Sequence, residues 1–196
     1  DEVIATCRNS SAELDELGIT VESKVDVSSG SSVLDFINKL GKRNIDVLIH
    51  NAGIHEQNSL SDFDPESLRR QFEVNALSPL CFTSAIAGNL KKGAKVIFIT
   101  SRMGSIDDNT SGGSYGYRMS KAALCMAGKS LSIDLKPRGI AVALLHPGLV
   151  STRMTGFTSQ GISTEESAKG LIERIDALTI ENSGSFWHSN GDLLPW

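Results

Sequence analysis

The sequence predicts an α/β chain built on a doubly wound parallel sheet. Short β-branched apolar runs alternate with longer stretches of helical periodicity, the order that right-handed βαβ units require. The apolar runs are nearly continuous (Val96-Ile97-Phe98-Ile99 is one), as strands buried on both faces must be. The chain has 196 residues, 40% of them hydrophobic and 21% charged, which suits one domain with its own core, spanning 1–196.

Strands are expected over 3–6, 20–27, 47–50, 95–100, 140–145 and 184–187, where Val, Ile, Leu and Phe cluster between turn-forming residues. Helices are expected over 31–42, 65–90, 117–136 and 164–178, each mixing apolar and polar residues at a spacing near 3.6. Two helix starts are capped by their own sequence. Asp64 precedes Pro65, whose fixed φ suits the first turn, and Ser163-Thr164 precedes Glu165-Glu166. The stretch 107–114 (DDNTSGGS) is the most polar and glycine-rich, and is expected to be a mobile loop.

Composition excludes several classes of function. The net charge is -4 and no Lys/Arg stripe exists to replace phosphate counterions, so a nucleic-acid partner is not expected. Apolar runs such as 140–145 are far shorter than the roughly 20 residues of a membrane span, and no basic, then apolar, leader opens the sequence. Cys7, Cys81 and Cys125 are odd in number and far apart, which argues against a disulfide framework or zinc site and for a reducing, cytoplasmic setting. His50, His55, His146 and His188 lack metal-ligand spacing, and no metal is expected.

Ligands of such sheets bind outside the carboxyl ends of the strands. The residues to inspect are therefore Cys7-Arg8, Asp26-Val27, His50 to Gly53, Ser101, and His146 to Gly148. Tyr117 and Lys121, four apart at a helix start, share one helical face. A neighbouring ammonium favours a phenolate and draws a tyrosine pKa, ordinarily about 10, toward the working range. Alone, the pair also fits an aromatic beside a solvated lysine. Ser101 follows a buried strand and reaches the same sheet edge. Asn75 lies inside an apolar helix, where its amide needs hydrogen-bond partners: a ligand, or merely a packing contact. Asn51-Ala52-Gly53 and Pro147-Gly148 to Thr152 are turns whose small or rigid residues admit a flat ligand, or simply end strands.

In this order, the pieces resemble the classical short-chain dehydrogenase/reductase family. N-A-G after a strand (Asn51-Ala52-Gly53), an Asn in the next helix (Asn75), a Ser closing the following strand (Ser101), Y-x-x-x-K (Tyr117, Lys121) and P-G-x-x-x-T (Pro147, Gly148, Thr152) all occur. The stretch 114–121 and the ending 186–196 look most like C-factor and sniffer-type carbonyl reductases. The resemblance implies a Rossmann-like fold and hydride transfer between a nicotinamide cofactor and a small carbonyl or alcohol. Tyr117 would be the general acid/base and Lys121 would depress its pKa and bind the nicotinamide ribose. Ser101 would hold the substrate oxygen, and Asn75 would anchor a water in a proton relay. Asp26 and Val27 would flank the adenine, Asn51, Ala52 and Gly53 would line the adenosine, and Val150 with Thr152 would hold the carboxamide. Cys7-Arg8 stands where an NAD site would place a carboxylate, so NADP(H) is expected over NAD(H). Family likeness also implies a dimer or tetramer built on the Asn75 and Tyr117 helices.

The sequence departs from the family in having no T-G-x-x-x-G-x-G loop to seat a pyrophosphate. The expectation is a domain lacking its first strand and helix, about thirty residues, which by itself binds dinucleotide poorly. His50 stands where the family has another Asn. Two competing readings remain. Gly112-Gly113-Ser114-Tyr115-Gly116 matches G-x-S-x-G, with Asp176 and His188 as triad candidates, but no strand is expected before Ser114. The same fold could also serve as a catalytically silent signalling or dimerisation module.

Overall fold

The computed structural model describes residues 2–196. Among the described residues six strands are found: β1 (Ile4–Thr6), β2 (Thr20–Glu22), β3 (Ile45–His50), β4 (Leu90–Ile99), β5 (Ala141–His146) and β6 (Ser185–His188). The helices are α1 (Ala12–Asp15), α2 (Gly30–Leu40), α3 (Pro65–Phe72), α4 (Ser78–Ile86), α5 (Tyr115–Asp134) and α6 (Thr164–Asp176). All named strand pairs are parallel, in two sheets: β1–β2, and β3–β4–β5–β6. β1 and β3 are not paired to each other, although Ile4 of one and Ile45 and Leu48 of the other pack on the same apolar cluster of Val25, Val33, Phe36, Leu40, Phe82 and Ile86. On β3, Val47 and Ile49 are left 42% and 49% exposed, unlike any apolar residue of the fully buried β5.

The pleat makes the winding double. On β4, Val96 and Phe98 face Ala76 and Leu124 of the α4–α5 layer, whereas Ile97 faces Leu178 and the apolar stripe of α6. Val142 of β5 joins the first cluster, and Ala143 and Leu145 join the second. α5 reaches the sheet at Gly128, where a Cβ would sit 2.8 Å from Leu144 and 3.1 Å from Phe98.

Four features differ from the sequence expectation. β2 stops at Glu22 rather than running to 27, because Lys24 takes a left-handed φ of 65° that breaks the ladder. α1, capped by the Ser11 side chain, is a single turn too short for periodicity to reveal. The single helix expected over 65–90 divides into α3, a π-helical turn at Glu73–Leu77 and α4. The loop expected to be mobile is tied down: Arg102 pairs with Asp108 at 2.5 Å, Asp107 N–H donates to the Trp196 carbonyl at 3.0 Å, and Arg118 donates to Ser111 at 2.8 Å. Both expected caps form, Asp64 accepting from Glu66 N–H and Ser163 from Glu166 N–H. Among the described residues no helix is long and apolar enough to cross a membrane.

Candidate functional site

The site lies where β3 and β4 end. Ser101, two residues past β4 and buried, caps a short 3₁₀ turn by accepting from Met103 N–H at 3.2 Å. That turn carries Gly104, which lies against the backbone of Lys121. α5 begins at Tyr115, so Tyr117 falls in its first turn and Lys121 one turn on, both buried. The Lys121 Nζ donates to the Ile99 carbonyl at 2.9 Å and lies 5.7 Å from the Tyr117 ring centre.

Electrostatics here follow burial. Desolvation pushes the Lys121 ammonium down to about 8, with the Cys125 thiol acting weakly the other way. Burial raises the Tyr117 phenol above its ordinary range, and the nearby Ser101 hydroxyl only partly offsets it. The Lys121 ammonium is engaged with the Ile99 carbonyl.

Asn75 sits in the π-helical turn, fully buried. Such turns widen a helix by one residue and often mark functional sites. Its Oδ1 accepts from Ile54 N–H at 2.8 Å, and its Nδ2 donates to the Ile54 carbonyl at 2.8 Å and to Ser120 Oγ at 3.0 Å. Ser120 in turn donates to the Tyr117 carbonyl at 2.8 Å. Both Asn75 amide hydrogens are thus spent binding the β3 loop to α5. Gly53 completes the junction, since a Cβ there would lie 3.3 Å from Asn75 Oδ1 and 3.6 Å from Lys121 Nζ.

The other candidates form two further groups. Pro147, Gly148, Val150 and Thr152 follow β5. Ser167 and Ser189 both donate to the Pro147 carbonyl, at 2.7 and 3.2 Å, and the Thr155 hydroxyl donates to Val150 at 2.6 Å. Gly148 takes a φ of 90° with Ile162 where a Cβ would fall, so only glycine fits. Arg8 and Asp26 lie together beyond β1 and β2. The Ser28 hydroxyl and N–H hold the Asp26 carboxyl below its usual range, and Arg8 adds to this. Val27 is half-buried on the Phe36 cluster, whereas Asn51 and Ala52 are exposed beyond β3. Ser114 follows a loop, without the strand that a nucleophile elbow needs before its serine.

Two residues of this region are absent from the sequence reading: Gln71 and Asn58. Gln71, fully buried, accepts from Glu56 N–H at 3.0 Å and donates to the Glu56 carbonyl and Asn58 Oδ1, both at 3.1 Å. Asn58 accepts from Gly116 N–H at 3.3 Å, fastening the start of α5. Gln71 and Asn75 stand four apart, and that repeat of buried amides was the available signal. His50, at the end of β3, donates from Nε2 to Thr83 Oγ at 2.8 Å, because the Thr83 hydroxyl is itself donating to Pro79. It stacks on Phe98 at 4.9 Å, and burial pushes it down to about 4.

A family model described as short chain dehydrogenase matches residues 2–163. A 1-hydroxy-2-glutathionyl-2-methyl-3-butene dehydrogenase from Rhodococcus sp. (strain AD45) is 44% identical over 201 residues, covering 100% of this chain and 89% of the relative. Among solved structures, the carbonyl reductase Sniffer of D. melanogaster superimposes with a TM-score of 0.93 at 28% identity. An NADPH-bound carbonyl reductase from chicken fatty liver does so with 0.91 at 26%; both matches cover 100% of this chain and 88% of the other.

Proposed function

The chain belongs to the short-chain dehydrogenase family of oxidoreductases, and from that premise we propose that it is an NADP(H)-dependent carbonyl reductase whose proton donor is Tyr117. The observation that carries the reading is the enclosed cluster of Ser101, Tyr117 and Lys121 at the carboxyl end of β4. A phenol held protonated by burial is the form a carbonyl oxygen needs as it is reduced. Ser101, beside it, orients the same oxygen.

The residues present fit the nicotinamide end of a dinucleotide. Lys121 is a desolvated ammonium that donates one bond, to Ile99, and keeps donors for ribose hydroxyls. Val150 and Thr152 would take the carboxamide, Asn51, Ala52 and Gly53 the adenosine, and Asp26 with Val27 the adenine. Arg8 would meet the 2′-phosphate. When bound, the cofactor supplies the hydride. The NADPH in the chicken reductase supports the choice of cofactor.

Self-association is part of the proposal. Met119, Met126 and Ile133 recur every seven residues on α5 and are 57%, 68% and 64% exposed, a stripe suited to a second copy of the same helix. Light scattering on a Met126→Glu variant, read as loss of a dimer, checks this part separately.

The test uses the full-length protein with NADPH and a panel of small aldehydes and ketones. Turnover is expected, and Tyr117→Phe should lower kcat by about 10²- to 10⁴-fold with NADPH binding retained. A folded protein that binds NADPH yet reduces none of the panel would overturn the reading.

A further inference from the structure

Ser101 owes its setting to the turn that follows it. Its carbonyl accepts from Gly104 N–H at 2.8 Å, and its hydroxyl oxygen accepts from Met103 N–H at 3.2 Å. A serine hydroxyl has one donor and two lone pairs. With one lone pair occupied by the Met103 amide, the hydroxyl hydrogen is left for a partner outside that bond. The orientation of Ser101 therefore depends on where Met103 is held.

Met103 is held from α5. Arg118, half-buried and next after Tyr117, reaches the loop that separates Ser101 from the helix. Its Nη1 donates to the Met103 carbonyl at 3.5 Å, its Nε to the Gly112 carbonyl at 3.3 Å and its Nη2 to the Ser111 hydroxyl at 2.8 Å. One guanidinium thus ties the start of the loop to its end. Gly112 and Gly113 make the return possible by taking left-handed φ values of 64° and 65°. Arg102, on the same loop, pairs with the Asp108 carboxylate, whereas these three partners of Arg118 are neutral oxygens. A planar fork of five donors meets three such oxygens at once; a lysine ammonium on its flexible stem does not hold them in one geometry.

Resting on the reading above, we propose that Arg118 is a positioning residue for Ser101: by fixing Met103, it holds the amide that leaves the Ser101 hydroxyl free to donate to the substrate oxygen. One helix then sets both groups that meet that oxygen. Tyr117 is carried by the α5 backbone, and Ser101 is aligned through the side chain of the very next residue. Charge is not the link, because burial and the nearby Ser101 hydroxyl, rather than Arg118, govern the Tyr117 phenol. The link is one of position, and a misplacement of 1 Å in such a site costs on the order of 10²-fold in rate.

The experiment is a double-mutant cycle in the full-length protein, with NADPH and whichever ketone or aldehyde of the panel wild type reduces fastest. Arg118→Met keeps the stem and removes the fork. It should lower kcat by about 10- to 30-fold while the Kd for NADPH moves by less than about 2-fold. In a Ser101→Ala background, where no hydroxyl remains to be aligned, the same change should lower kcat by less than about 3-fold. Arg118→Lys, which keeps the charge without the fork, should recover only part of the loss, and it is the second variant if Arg118→Met does not fold. An equal fall in both backgrounds, an unchanged kcat in Arg118→Met, or full activity in Arg118→Lys would overturn the proposal. A readout independent of turnover is amide hydrogen exchange at Met103, followed by NMR. Exchange there should quicken by about 10-fold or more in Arg118→Met, while the Gly116 amide, held by Asn58, keeps its protection. Unchanged protection at Met103 would likewise sink the proposal. If wild type reduces nothing in the panel, the reductase reading fails, and exchange at Met103 alone decides whether Arg118 fixes that amide.

Discussion

Gly104 is the narrowest contact between the β4 edge and the helix that carries Tyr117 and Lys121. In Gly104→Ala, the new Cβ would lie 2.7 Å from the Lys121 carbonyl carbon, 2.9 Å from its oxygen and 3.0 Å from Ala122 N. Ordinary contact begins at 3.4 Å, so the two backbones must separate by about 0.7 Å. All three opposing atoms are backbone, and no flexible side-chain end can yield. Overpacking costs roughly 1–3 kcal/mol, and the rigidity on both sides places this change near 3. At about 2–4 °C per kcal/mol for a chain of this size, Tm should fall by about 6–12 °C. Relief of the clash moves α5 away from Ser101, so kcat should drop by about 10- to 100-fold, a misplacement of 1 Å being worth about 10². Gly30→Ala is the matched control. Its Cβ meets nothing within 4 Å, at the first residue of α2, and it should raise stability by about 0.5 kcal/mol. A Gly104→Ala protein that melts within a degree of wild type and keeps full activity would refute the argument that this contact sets the position of Lys121.

Stability should depend on pH through two buried imidazoles. Burial holds His50 near 4 and, with His188 beside it, His146 near 3, against an ordinary 6.5. The folded state refuses protons that the unfolded chain takes up, so their contribution is complete above pH 6.5 and is lost as pH falls toward 4. Each should cost up to about 2 kcal/mol between pH 7 and 5, and urea midpoints of His50→Asn should show about half the wild-type decline. Arg8→Asp should shift the ratio of catalytic efficiencies from NADPH toward NADH; an unchanged ratio would remove Arg8 from the cofactor site. Alkylation followed by mass spectrometry should modify the exposed Cys81 and spare Cys125, whose thiol burial pushes up to about 11.

Much of this protein was readable before any coordinates. The strand–helix alternation, the apolar β4 and β5, the caps at Asp64 and Ser163 and the Tyr117–Lys121 spacing are local statements. Each rests on periodicity or on the chemistry of a few consecutive residues. The sequence also placed Asn75, Ser101, Tyr117 and Lys121 as one candidate set, because the carboxyl ends of parallel strands share one edge. Its errors were local too: a left-handed Lys24 and a π-helical turn at Asn75 leave no trace in apolar spacing.

Tertiary structure decided what those residues do to one another. Whether Lys121 or burial governs the Tyr117 phenol depends on the direction of one ammonium and on how much water remains, and neither is encoded in an i,i+4 spacing. That Gln71 and Asn75 grip the backbone on both sides of His55 follows from a loop and a helix meeting 15 to 21 residues apart along the chain. Hydropathy and propensity are properties of neighbours in sequence; hydrogen-bond partners and desolvation are properties of neighbours in space, and only the packed chain supplies those.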